Sequence, residues 1–199
     1  MSFNGRVAIV TTSSSGIGAA VAAALADALP GAMYAGADIA DDAACEALVC
    51  ATIERYGQLD ILVNNAGTTE VIAHSDLHAA TDEIWQRIFS VNVLGTWHMT
   101  RACVPALRAT GDGVVVNVSS VAGLRATGSS IPYAVSKTGV NHLTVLLANV
   151  LGPEIRVNAV APGLVDTPWG SSMPATSPVR SSRSTAAWLS GSRRCGMLR

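Results

Sequence analysis

The chain holds thirteen basic side chains, twelve of them arginine, and the single lysine, Lys137, stands four residues after Tyr133 in Tyr133-Ala-Val-Ser-Lys137. Positions i and i+4 of a helix share a face, so this spacing sets an ammonium beside a phenol. Lysine supplies a compact titratable charge where arginine supplies a fixed fork. A unit charge roughly 4 Å from a phenol, at an effective dielectric near 20, contributes up to about 4 kcal/mol, or around three pK units, in favour of the phenolate. The pair predicts a tyrosine that works as acid or base near neutral pH. A second group of residues suits phosphate. Thr11, Ser14, Gly16, Ile17 and Gly18 lie in Thr11-Thr-Ser-Ser-Ser-Gly-Ile-Gly18, after a β-branched run and before an alanine-rich segment. A strand-turn-helix of this kind offers free backbone N–H groups and the positive helix end to a pyrophosphate, and its glycines let the backbone come close.

The elements that must position these residues follow from pattern. Arg6 to Thr11 and Leu59 to Val63 are short apolar runs without polar alternation, as in strands buried on both faces of a parallel sheet. Met33 to Ala37, Gly113 to Ser119 and Ile155 to Val160 are further strands. Ala19 to Leu29, Asp41 to Tyr56, Thr81 to Arg108 and Pro132 to Leu151 read as helices, with Pro105 bending or ending the third. Strands alternating with helices predict an α/β fold, a doubly wound parallel (Rossmann-like) sheet of about five strands.

With 199 residues, 49% hydrophobic and 14% charged, one compact domain over residues 1–169 is expected. Residues 170–199 carry eight serines, five arginines and no acid, which predicts a divergent, flexible tail. The net charge of −1 therefore hides a body at −6, which argues against a nucleic-acid surface. No long uncharged apolar run or signal-like N-terminus is present, so a cytoplasmic protein with no membrane partner is expected. Cys45, Cys50, Cys103 and Cys195 lack metal spacing. His74 and His78 stand four apart and would share a helical face, but no third ligand accompanies them, so no metal is expected.

Taken together, Gly16-Ile17-Gly18, Asn64-Asn65-Ala66-Gly67, Asn92 in Val-Asn-Val-Leu-Gly, Ser120, Tyr133 with Lys137, and Pro162-Gly163 with Thr167 resemble the short-chain dehydrogenase/reductase family, in that family's order, over residues 3 to 169. The resemblance implies hydride transfer between NAD or NADP and a small carbonyl or secondary alcohol. It implies that Tyr133 exchanges a proton with the substrate oxygen, Ser120 hydrogen-bonds that oxygen, and Lys137 lowers the phenol pKa and holds the nicotinamide ribose. Asn92 would anchor a water linking Lys137 to solvent. Asn65, Ala66 and Gly67 would pack along the adenosine half, and Pro162, Gly163, Val165 and Thr167 would seat the nicotinamide. Asp38 with Ile39 resembles the family's adenine-contacting pair; the other reading, from the general fingerprint, has Asp38 binding the ribose 2′-OH. The family often pairs its two long helices, here those bearing Asn92 and Tyr133, which implies a homodimer. A sugar-nucleotide epimerase or reductase also uses Tyr-x-x-x-Lys, but the Ser-Ser-Ser-Gly-Ile-Gly turn and Asn-Asn-Ala-Gly favour the first family.

Three departures stand out. Thr12 occupies the place of the glycine-rich turn's first glycine, at a cost of about 1–2 kcal/mol if that site needs positive φ. Twenty residues between Gly18 and Asp38 are too few for the family's second strand and its following helix. The Ser/Arg tail stands where a substrate lid and last strand are expected. These leave an alternative open, a catalytically impaired relative that binds a nucleotide or a partner subunit.

Overall fold

The computed structural model describes residues 5–12, 16–28, 35–165 and 187–190. Ser14, Met33 and Thr167, and most of the tail, lie outside them. Four strands, β1 (Ala8–Val10), β2 (Ile61–Asn64), β3 (Gly113–Val118) and β4 (Ile155–Ala161), pair in parallel in that order. A fifth, β5 (Ala187–Ser190), adds antiparallel to β4. The sequence reading placed no element in the tail, yet Ala-Trp-Leu-Ser is a short apolar stretch that fits the open edge of β4. The strand expected over Met33 to Ala37 is not formed at residues 35–37, which are irregular and exposed.

Helices α1 (Gly16–Ala28), α2 (Asp42–Tyr56), α3 (Asp82–Phe89), α4 (Thr96–Ala109) and α5 (Ile131–Leu151) connect the strands. Asp41 caps α2 by accepting from the Ala43 and Ala44 N–H groups, and Gly57 closes it at φ 79°. Ser130 caps α5, accepting from Tyr133 N at 3.4 Å, and Pro132 occupies its first turn. The helix expected over residues 81 to 108 is interrupted, though not at Pro105, which α4 runs past. The break is a π turn over Ser90–Gly95, between α3 and α4.

Ile9, Leu62, Val115 and Val157 face α2, α4 and α5, where Cys45, Val49, Met99, Cys103, Leu107 and Leu147 complete the main core. Ile61, Val63 and Val118 face the other way, with Val10, Val114, Val160 and Val21 of α1. β2 is buried along its whole length as expected, but Ala8 and Val10 of β1 are only half-buried because few described residues cover that second face. No described helix is long and apolar enough to cross a membrane.

Candidate active site

The chemistry-bearing residues gather at the C-terminal edge of the sheet, where the loops after β1, β2, β3 and β4 meet, the crevice in which open α/β sheets bind ligands. Thr11, just past β1, ties two of these loops together. Its Oγ1 accepts from the Asn65 and Ala66 N–H groups at 3.0 and 2.9 Å. Asn65 in turn donates its amide to the Thr11 and Thr12 carbonyls, each at 3.2 Å. Thr12 lies at φ 54°, so the turn does require the left-handed backbone that the missing glycine would supply. Gly18, in the first turn of α1, has no room for a side chain, since a Cβ there would sit 2.1 Å from the Thr12 carbonyl oxygen. The helix end is therefore pressed against the turn, as a phosphate cradle demands.

Past the third strand, Ser120 begins a 3-10 turn (Val121–Gly123), its Oγ accepting from Ala122 N at 3.1 Å. Ser120 also hydrogen-bonds the Tyr133 side chain. Tyr133 and Lys137 share the buried face of α5, and the Lys137 ammonium lies 5.8 Å from the Tyr133 ring centroid. Ser119 takes the opposite side of the chain and donates to the Lys137 carbonyl at 3.1 Å.

The electrostatics differ from the sequence expectation. Burial pushes the Tyr133 phenol above its ordinary value, and the Ser120 hydrogen bond opposes this only in part. Lys137 is itself only 4% exposed, and burial lowers its ammonium to about 8. Its Nζ donates to the Val118 carbonyl at 2.9 Å. Desolvation is the largest influence on both groups.

Asn92 sits in the π turn, 1% exposed. Its Oδ1 accepts from Thr68 N at 2.7 Å, and its Nδ2 donates to the Thr68 carbonyl and to Ser136 Oγ at 3.0 and 2.9 Å. Ser136 passes the chain on, donating to the Tyr133 carbonyl at 2.7 Å. A side chain at Gly67 would begin 3.4 Å from both Asn92 Oδ1 and Lys137 Nζ, so these three residues meet at one point. Ile39 is buried, while Asp38 is exposed and accepts from Ala40 N at 2.9 Å. The Pro162 carbonyl accepts from Val121 N at 3.0 Å, which brings Pro162 against the Ser120 turn, with Gly163 and Val165 following it in the same loop. His74 and His78 lie in an exposed loop rather than on a helix.

Residues assigned no role of their own from the sequence complete the support. Asn64 Nδ2 donates to Thr100 Oγ1 and Asn117 Oδ1 at 3.0 and 2.9 Å, and Asn117 Nδ2 to Thr144 Oγ1 at 2.9 Å. This buried chain crosses the sheet from α4 to α5. Its signal was a single asparagine in each of two otherwise apolar strands, at the end of Ile-Leu-Val-Asn and next to the end of Val-Val-Val-Asn-Val.

A family model described as enoyl-(acyl carrier protein) reductase matches residues 3–192. The chain is 52% identical over 184 residues to a Streptomyces violaceoruber protein named as ketoacyl reductase 2 of the granaticin polyketide synthase, covering 82% of this chain and 74% of that protein. It is 41% identical to the 2-(R)-hydroxypropyl-CoM dehydrogenase of Xanthobacter autotrophicus, over 66% of this chain and only 53% of that one. Among solved structures, a short-chain dehydrogenase/reductase from Burkholderia xenovorans superimposes with a TM-score of 0.76 at 40% identity, covering 81% of this chain and 78% of that chain. The aldohexose dehydrogenase of Thermoplasma acidophilum does so at 0.76 and 30%, covering 82% and 68%. Motif order, sheet topology and these similarities agree: the chain belongs to the short-chain dehydrogenase/reductase family of oxidoreductases.

Proposed function

We propose that the chain transfers a hydride between NAD(P) and a carbonyl or secondary alcohol, with Tyr133 exchanging the proton. The observation that carries this is the meeting of a Ser120-bonded phenol with a buried ammonium beside Gly67 and Asn92. The residues fit a dinucleotide: the α1 end is pressed on the turn at Gly18, and Lys137 has three donors of which Val118 takes one.

NAD(P)H, when bound, would supply a hydride for the carbonyl carbon. Tyr133, held neutral by burial, donates its proton to the oxygen, while Ser120 hydrogen-bonds that same oxygen. The tyrosinate so formed recovers a proton downhill from an ammonium that titrates at about 8. Asn92 Oδ1 and Lys137 Nζ flank Gly67, which supports a water there as the source of the next proton.

Asn65, Ala66 and Gly67 would line the adenosine half and Pro162, Gly163 and Val165 the nicotinamide half, with Ser14 and Thr167 outside the described residues. Asp38 spends its carboxylate on the turn that opens α2, which suits the adenine-contacting reading over the ribose one. One observation favours the impaired alternative: the left-handed Thr12 strains the pyrophosphate turn. A cytoplasmic setting suits the free thiols of Cys45, Cys50 and Cys103. Fluorescence titration with NADH and NADPH tests the reading. Saturable binding of either supports it, and no binding of either at millimolar concentration would sink it.

We also propose a homodimer through the Asn92 and Tyr133 helices. Val135, Leu146 and Val150 form an exposed apolar stripe on α5, and Leu94 and Trp97 are exposed on the π turn and α4. The one charged residue of α5 is Lys137, which is buried, so a two-fold pairing of this face brings no like charges together.

A further inference from the structure

Asn141 was assigned no part in the chemistry, yet it continues the stripe Tyr133, Lys137, Asn141 at four-residue steps along α5. It is 7% exposed, and its Oδ1 is buried with no partner among the described residues. A buried amide with one half unmet is a net loss unless its other half is needed. That other half, Nδ2, donates to the Gly123 carbonyl at 3.1 Å. Thr138 Oγ1 reaches the same carbonyl at 3.1 Å, sharing its proton with the Ala134 carbonyl. Gly123 closes the turn that Ser120 opens, and its N–H donates to the Ser120 carbonyl at 3.0 Å. The turn is pressed onto the helix: a Cβ at Gly123 would lie 2.7 Å from the Lys137 carbonyl carbon. A closed circuit results, running from Ser120 through Gly123 and Asn141 into α5 and back along the helix to Tyr133.

We infer that Asn141, assisted by Thr138, is a positioning residue: by clamping the Gly123 carbonyl it fixes the Ser120 hydroxyl against the Tyr133 phenol. The inference rests on the proposed roles of Ser120 and Tyr133, but the hydrogen bond between them exists before any turnover. The charge facing the phenol is Lys137, from α5 itself, and the 3-10 turn contributes the neutral Ser120. Loss of the clamp lets the hydroxyl drift, which leaves the phenol buried without the bond that stabilises its anion.

The test uses the full chain and four variants, Asn141→Ala, Thr138→Val, Ser120→Ala and the double Asn141→Ala/Ser120→Ala. The first readout is the ultraviolet titration of Tyr133, isolated by difference from Tyr133→Phe, which needs neither cofactor nor turnover. The second is the split between kcat and the KM for NADPH. Asn141→Ala should move the phenol midpoint upward, in the same direction as Ser120→Ala, and lower kcat about tenfold or more with the cofactor KM unchanged. On top of Ser120→Ala it should add nothing, the mark of a residue acting through another. Thr138→Val, at an exposed position that tolerates substitution, should give a smaller shift of the same sign and decides the matter if Asn141→Ala does not fold. Asn141→Ala with a lowered Tm but an unmoved midpoint and kcat would show a packing residue only, and effects that sum with Ser120→Ala would overturn the inference. Failure of the unmodified chain to turn over a ketone would count against the proposed function, while the titration would still decide the clamp.

Discussion

Lys137 brings a charge to a place only 4% exposed, and the consequence is measurable without a substrate. The folded chain releases the lysine proton at about 8, whereas the unfolded chain holds it to the ordinary value of 10.5. Between those values the unfolded state binds more protons, so stability rises with pH across that window; below it the full penalty applies, about 3 kcal/mol. Lys137→Met should therefore stabilise the protein at neutral pH by about 1–3 kcal/mol, the Val118 carbonyl losing its donor in exchange, and should abolish the rise. Denaturant unfolding on either side of pH 8 checks both parts. The partnership of Tyr133 and Lys137 was legible because a spacing of four fixes the shared face. Its electrostatic balance was not, because desolvation depends on what covers the pair, and that cover comes from Ser120, Val118 and the loop at Gly67. Ser136 and Asn141, on the same helix, were legible in spacing but carried no chemical signature of their own.

At the scale of the element, the proposed cofactor site rests on the junction between β1 and α1. Thr12 sits at φ 54°, where a β-branched residue costs about 1–2 kcal/mol. Thr12→Gly should relieve that strain, with part of the gain offset by the freer unfolded chain, for a net stabilisation of about 0.5–1 kcal/mol. It should also tighten NADPH binding; a rise in Tm together with a lower Kd by fluorescence checks this, and a weakened Kd would mean that the threonine conformation serves the site. This strain was foreseen from the residue standing where a glycine belongs. The π turn at Ser90–Gly95 was not foreseen, since Ser-Val-Asn-Val-Leu-Gly contains no break inside a helical pattern. Its cause is tertiary: Asn92 turns inward to hold both backbone groups of Thr68, and a widened turn accommodates it. The strand expected near Met33 likewise is not formed at residues 35–37, which are exposed and include a glycine.

At the scale of the molecule, the α/β class and its parallel sheet were legible from the alternation of strands and helices, whereas β5 was not, because four residues in a serine- and arginine-rich stretch give no period. The apolar stripe on α5 predicts an assembly. Light scattering should give a dimer, and Leu146→Glu should yield a monomer with an intact fold; a monomer from the unmodified chain would remove the proposed interface. The proposed catalytic groups, by contrast, all lie within one chain, at the 3-10 turn after β3, in the π turn and on α5. The most direct test of their role is the rate at which the unmodified chain and Tyr133→Phe consume NADPH in the presence of a small ketone, with cofactor binding measured in the same samples. The expected result is turnover by the unmodified chain and a loss of about a hundredfold or more in Tyr133→Phe with binding preserved; equal rates from the two proteins would contradict a proton passing through Tyr133.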